Sequence, residues 1–347
     1  MKIRPNKLEL NWNVFSKYRS LMMGVAAVLI ILCHMHYVVD VHSRIGKMII
    51  EVFNSGSMGV EMFLFLSGIG LYFSFSKKPK IYDFYKKRVS NVYIIYLIIA
   101  LPYVIWRCFF FEHDGVLRFF EDWSGARFWN GTMREIWYVP TILVLYLLYP
   151  LIHKVMFCKD GKYAVAITAA ATVAWFALCY GYKEIYPDSY DRLEIALMRV
   201  PSFLIGCCCG KFVFEKKKFG VGAYLLFAAG ILFKIVCIFL PDGMYIYRLS
   251  FCFLGISLLF IVAVFVQLVN LKPFYKLLSF IGSMSLEIYL THNLIREVFY
   301  LLEIKGLLLY VAIVAFSFVI SIFLAKLRRL IVKRVCSEKT AYAVARH

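Results

Sequence analysis

The chain reads as an all-α integral membrane protein with about ten transmembrane helices and both termini in the cytoplasm. Three observations predict this. Hydrophobic residues make up 62% of the 347 residues and charged ones only 18%, whereas soluble chains are about a quarter charged. A mean hydropathy of +0.74 over this length exceeds what one or two water-soluble cores can bury. Finally, the apolar residues fall in runs of about 20, the length that crosses a bilayer as a helix. The alternating ten-residue segments of a β-barrel do not occur. A secreted disulfide scaffold, a disordered chain and an ordinary cytosolic enzyme are excluded.

The first run, 18–39, follows Lys2, Arg4, Lys7, Lys17 and Arg19. It is too long for a signal-peptide core and no small-residue cleavage site follows it, so it is expected to stay as a span. Runs at 58–76 and 89–111 come next, divided by Lys78-Pro79, and then runs at 135–153 and 163–182. Beyond Tyr186-Pro187 lie 193–213 and 221–240; Pro241-Asp242-Gly243 precedes 246–269, and Lys272-Pro273 precedes 279–300 and 306–327. Pro and Gly at these points read as helix stops. Residues 1–347 thus form a single transmembrane domain.

Lys and Arg divide 27 to 12 between alternate sides, with Arg199 left inside a span, which puts both termini inside by the positive-inside rule. The net charge of +19 is spread in short clusters at span ends, so no nucleic-acid partner is expected. Ten cysteines without a C-x-x-C pair or ligand-like spacing read as free thiols, with neither disulfides nor a metal site. The longest outer loop, 112–134, holds Trp123, Trp129 and Asn130 and reads either as a cover or as interfacial sequence.

Ionisable residues inside spans are functional candidates by default. His34 near the outer end of the first span and Glu61 near the outer end of the second have similar depth in consecutive antiparallel helices, which are usually neighbours. A carboxylate beside an imidazole orients it and raises its basicity, as a general base needs. The other reading has His34 satisfying a carbonyl or water and Glu61 capping its span. His36, nearer water, reads as structural. In the ninth span Ser285, Tyr289 and His292 share one face at spacings of four and three, with Glu287 turned elsewhere. Trp137 lies near the outer level of His34, and Arg199, followed by Pro201, needs an acid or an anion. On the inner side, six cations between Lys77 and Arg88 suit either donor phosphates or the anionic leaflet. No P-loop, G-x-G-x-x-G or G-x-S-x-G motif is present.

At these residues the sequence resembles bacterial membrane-bound acyltransferase family 3. YRSLMMGVAAVLIILCH brings His34 to the family's histidine position, and GSMGVEMFLFLSGIGLYFS resembles its G-V-acid-x-F-F-x-x-S-G-F segment through Gly59, Val60, Glu61, Phe63, Ser67 and Gly68. IWYVPTILVLYLLYPLI, RVPSFLIGCCCG and LSFIGSMSLEIYLTHNLI are similar to its W-F-x-x-x-L-x-x-Y-x-x-x-P, R-x-P-x-F-L-x-G and G-x-x-S-Y-x-I-Y-L-x-H segments. The five stand in the family's order across nearly the whole chain. Two positions depart: Met23 stands where many members have Arg, leaving Arg19 one turn earlier, and Asn91 replaces the second arginine of R-x-x-R after Arg88.

The resemblance implies an O-acyltransferase that moves an acetyl or other short acyl group from acyl-coenzyme A to a hydroxyl of a cell-envelope or exported carbohydrate, in a bacterial inner membrane. It implies catalysis by His34 with Glu61 fixing its tautomer, and donor binding by Arg19, Lys86, Lys87 and Arg88. Ser67, Trp137, Arg199, Tyr289 and His292 are implied as substrate-side or structural polar positions. Acyl-coenzyme A enters as co-substrate; no resident cofactor or metal is expected. The aromatic-rich faces are compatible with lipid or with a homodimer. The competing expectation is a proton-coupled transporter or flippase of an anionic or glycosylated substrate, with Arg199 as counter-ion and His34 and Glu61 as relay.

Overall fold

The computed structural model describes residues 8–40, 43–77, 80–239 and 243–344. Lys2, Arg4, Lys7, Lys78, Pro79, Pro241 and Asp242 lie outside these residues. Among the described residues the regular structure is helical, apart from one isolated bridge between Asn11 and Lys218.

In chain order the helices are α1 Arg19–His34, α2 Arg44–Asn54, α3 Gly59–Phe75, α4 Ile81–Arg88 and α5 Ile94–Ile105. There follow α6 Val116–Ser124, α7 Tyr138–Met156, α8 Ala164–Ile185, α9 Pro187–Leu197 and α10 Val200–Phe214. The last five are α11 Val221–Phe239, α12 Gly243–Leu268, α13 Lys272–Ser283, α14 Ser285–Leu301 and α15 Leu307–Val344.

The all-helical membrane fold is as the composition requires, but the spans differ in detail. Eight stretches among the described residues are long and apolar enough to cross a bilayer, with Val221–Cys237 as a shorter apolar helix. The expected ninth span, 279–300, is not one helix: the chain breaks at Met284, where φ −127° and ψ 27° leave the helical region, and α14 starts afresh. The expected sixth span, 193–213, is likewise divided, because α9 ends and α10 begins around Arg199, with Pro201 in the first turn of α10. Proline has no N–H and suits a helix start, where that donor would be orphaned anyway. The expected outer loop at 40–57 is the amphipathic helix α2 and a short 3₁₀ turn that leads directly into α3. The 112–134 loop contains α6 and a further 3₁₀ turn, Ala126–Asn130.

The chain forms two compact units, one of residues up to 33, 51–77 and 149–283, the other of 34–50, 78–148 and 284 onwards. In the first, α3 lies along α10 so closely that a Cβ on Gly206 would overlap the carbonyl of Phe65. Small residues permit such backbone contact between spans, where packing rather than water release holds helices together. The same unit pairs α11 with α12 and packs Phe15 between Phe65 and Phe260 at ring distances of 5.7 and 5.0 Å.

In the second unit α14 packs along α15 and against α5. Helices α4 and α5 are joined through a π-helical turn, Val89–Tyr93, and run on through a second, Trp106–Phe111. The end of that stretch is tied down by Asp122, which is fully buried and accepts from Arg127 Nη1 at 3.0 Å and from the Cys108 thiol at 3.3 Å. Burial holds the Asp122 carboxyl above the usual carboxylate range, against the opposing pull of the Cys108 hydrogen bond and the Arg127 charge.

Candidate active site

His34 is the last residue of α1 and is followed by a 3₁₀ turn, Met35–Tyr37. It therefore stands at the mouth of its helix rather than within it. Its partner comes from α14. His34 Nδ1 lies 2.9 Å from His292 Nε2, with the rings stacked at 5.2 Å and 28°. His292 is buried, and its Nδ1 lies 2.6 Å from the carbonyl of Ile288, one turn earlier.

These contacts set the tautomers. A backbone carbonyl only accepts, so His292 Nδ1 carries the proton. With His292 neutral, its Nε2 is a lone pair and accepts from His34 Nδ1–H. His34 Nε2 is then left as a lone pair, the state a general base requires.

Helix α14 presents further polar groups beside the pair. Tyr289, His292, Asn293 and Arg296 recur at helical spacing and are all buried. Asn293 Nδ2 and the Tyr289 hydroxyl both donate to the backbone carbonyl of Glu135. Arg296 Nη2 donates to Asn293 Oδ1 at 2.9 Å and to Glu297 Oε2 at 2.8 Å. The Glu135 side chain in turn accepts from Tyr103 at 2.6 Å and Arg107 at 2.7 Å. The turn before α7 is thereby fastened to α14 and α5. Trp137, in that turn, contacts Tyr138, whose ring lies 5.4 Å from Tyr289. Glu287 does point elsewhere, pairing with Arg328 Nε at 2.6 Å.

The sequence pairs His34 with Glu61; the structure gives the two different partners. Glu61, fully buried in the first turn of α3, accepts from Arg199 Nε at 2.9 Å. Arg199 also donates through Nη1 to the carbonyl of Ile195. Beside it Arg248 holds Glu194 through Nε at 3.0 Å and Nη2 at 3.2 Å. The reason is electrostatic: a buried guanidinium cannot shed its charge and takes the nearest buried carboxylate. The hydrogen-bond partner that the structure gives His34 is His292, and of the acid or anion expected for Arg199 it gives an acid, Glu61. Two of the motif segments, GSMGVEMF and RVPSF, are thus held together by one ion pair.

Of the expected donor residues, Arg19 belongs to the first unit and Lys86, Lys87 and Arg88 to the second. Arg19, at the start of α1, approaches the Leu66 carbonyl at 3.5 Å and Gly70 of α3. It lies about 22 Å along α1 from His34 at 1.5 Å per residue. Lys86 and Lys87 end α4, while Arg88 is stacked on Phe84 and Tyr146 at 5.2 and 5.6 Å. Asn91 does not present a charge there; its Nδ2 donates to the Lys87 carbonyl at 2.8 Å inside the π-helical turn. Ser67 is buried on α3.

Comparison with known proteins decides the family. A model described as an acyltransferase domain matches residues 20–326. The chain belongs to acyltransferase family 3. As a member of that family it is a membrane acyltransferase, and the His34 and His292 segments both fall inside the matched region. A protein of Acidianus two-tailed virus named "Putative acetyltransferase ORF330" is 24% identical over 284 residues, which is 76% of this chain and 79% of the viral one. No solved structure matches the chain.

Asn293, Arg296 and the orienting role of His292 are not in the sequence reading of the site. The signal for the first two is the continuation of the polar face of α14 one residue and one turn past His292.

Proposed function

We propose that this acyltransferase transfers an acetyl or other short acyl group from acyl-coenzyme A to a hydroxyl of a cell-envelope or exported carbohydrate, in a bacterial inner membrane. The observation that carries the reading is the hydrogen-bond chain from the Ile288 carbonyl through His292 to His34, which leaves His34 Nε2 as the base. In the reaction, Nε2 takes the acceptor's hydroxyl proton as the oxygen attacks the thioester carbonyl. The tetrahedral centre collapses, the C–S bond breaks, and the proton passes from His34 to the departing coenzyme A sulfur. Lys86, Lys87 and Arg88 bind the donor's phosphates, and Arg19 serves the donor's entrance.

The transport alternative uses Arg199 as counter-ion to an anionic cargo and a relay of His34 with Glu61. The ion pair of Arg199 with Glu61 and the hydrogen bond of His34 with His292 favour the transferase reading over this one.

The test is release of free thiol from acetyl-coenzyme A by the protein purified in detergent, with a mixed bacterial glycan extract as acceptor. Acceptor-dependent release that disappears in His34→Ala is expected. Release that persists in a folded His34→Ala protein overturns the role of His34, and absence of acetyl-coenzyme A binding overturns the donor.

A further inference from the structure

A groove of about 570 Å³ opens in the first unit between α8, α10 and α11. Its walls are apolar, with Val165, Ile205, Phe212 and Leu226 among them, and Lys217 and Lys218 stand among its lining residues. Thr168 adds no demand for a polar ligand, because its hydroxyl donates to the Ala164 carbonyl at 2.7 Å. Lys217 pairs with Glu215 at 2.8 Å, so of the charged groups at this mouth Lys218 carries the excess. The amino end of α11, at Val221, opens at the same place.

The walls span about two thirds of one leaflet. From Val165 to Thr172 on α8, and from Ile205 to Phe212 on α10, the walls run about 10 Å at 1.5 Å per residue. The hydrocarbon of one leaflet is roughly 15 Å deep. Backbone N–H groups at a helix start and lysines beside them favour a phosphate, while the walls below favour hydrocarbon.

We propose that this groove holds one acyl chain of an anionic phospholipid, with the headgroup phosphate at Lys217, Lys218 and the amino end of α11. The pantetheine arm of coenzyme A fits less well. Its two amides would lose water against apolar walls that return few hydrogen bonds, a cost hydrocarbon does not carry.

The whole chain, purified in mild detergent, is equilibrated with phosphatidylglycerol or with phosphatidylcholine, and retained lipid is counted by native mass spectrometry. Phosphatidylglycerol is expected to be retained about fivefold more than phosphatidylcholine for each effective cation. Lys217→Gln with Lys218→Gln is expected to bring the two lipids level. Gly222→Phe is expected to expel both, since a Cβ there meets nothing within 4 Å and the ring fills the groove without a backbone clash. Should that variant misfold, Ala169→Leu on the opposite wall gives the same reading. Equal retention of the two lipids by the unaltered protein, or retention untouched by the filling variants, overturns the proposal. Displacement of bound phosphatidylglycerol by acetyl-coenzyme A also overturns it and gives the groove to the donor.

Discussion

The guanidinium of Arg296 lies 4.2 Å from the centre of the Tyr37 ring, three residues beyond His34. One side chain of α14 therefore supports both halves of the histidine pair, through Tyr37 on the His34 side and Asn293 on the His292 side. Its Nε and Nη1 are buried without hydrogen-bond partners. Arg296→Gln keeps a polar chain but loses the stacking. It is expected to lower kcat in the thiol-release assay by up to about 100-fold through misplacement of the pair, and to lower the melting temperature as well, since Glu297 loses its partner.

Substitutions of His292 sort the two roles of its ring. Gln can still accept from His34 Nδ1–H, whereas Phe keeps the bulk and offers no acceptor. Activity is expected to fall in the order wild type, His292→Gln, His292→Phe, with kcat for the last reduced about 10³-fold or more, as when a triad histidine loses its orienting partner. Equal activity of the Gln and Phe variants at saturating acetyl-coenzyme A would contradict the tautomer assignment.

Removing one half of the Glu61–Arg199 pair leaves an uncompensated buried charge. Glu61→Gln is expected to cost about 3–5 kcal/mol of stability, read as a lower melting temperature in detergent. Glu61→Gln with Arg199→Met is expected to recover most of that loss, because both charges are then gone. Independent, additive losses would show that the two residues do not act as a pair.

The cations at the end of α4 are expected to behave unequally. Lys86→Gln with Lys87→Gln should raise KM for acetyl-coenzyme A and flatten its dependence on salt, because the charges of half-buried Lys86 and exposed Lys87 act through screened attraction. Arg88→Gln should in addition lower the melting temperature, since its guanidinium packs on Phe84 and Tyr146. Unchanged KM in the double lysine variant would remove this segment from donor binding.

Much of the fold was legible because hydrophobic length is a local property of the chain. His34 was equally legible, as a titratable group next to an apolar run. Its partner was not, since depth alone cannot choose between Glu61 and His292, which lie at distant positions in the sequence. Pro201 was a readable sign of the break at Arg199. The break at Met284 follows Gly282 and Ser283 within an apolar run, where glycine is common in spans and weak as a stop. Arg199's requirement for an acid or an anion was visible, and only the packing of α3 against α10 chose Glu61.

The ion pair between Glu61 and Arg199 also bears on biogenesis. Glu61 enters the bilayer with α3, and its counter-charge emerges 138 residues later. Until α10 is delivered, the carboxylate faces hydrocarbon alone, at a cost of a few kcal/mol. Final docking of α3 through this pair therefore has to wait for α10, and a polypeptide cut short before residue 199 leaves Glu61 without the partner it has in the complete fold.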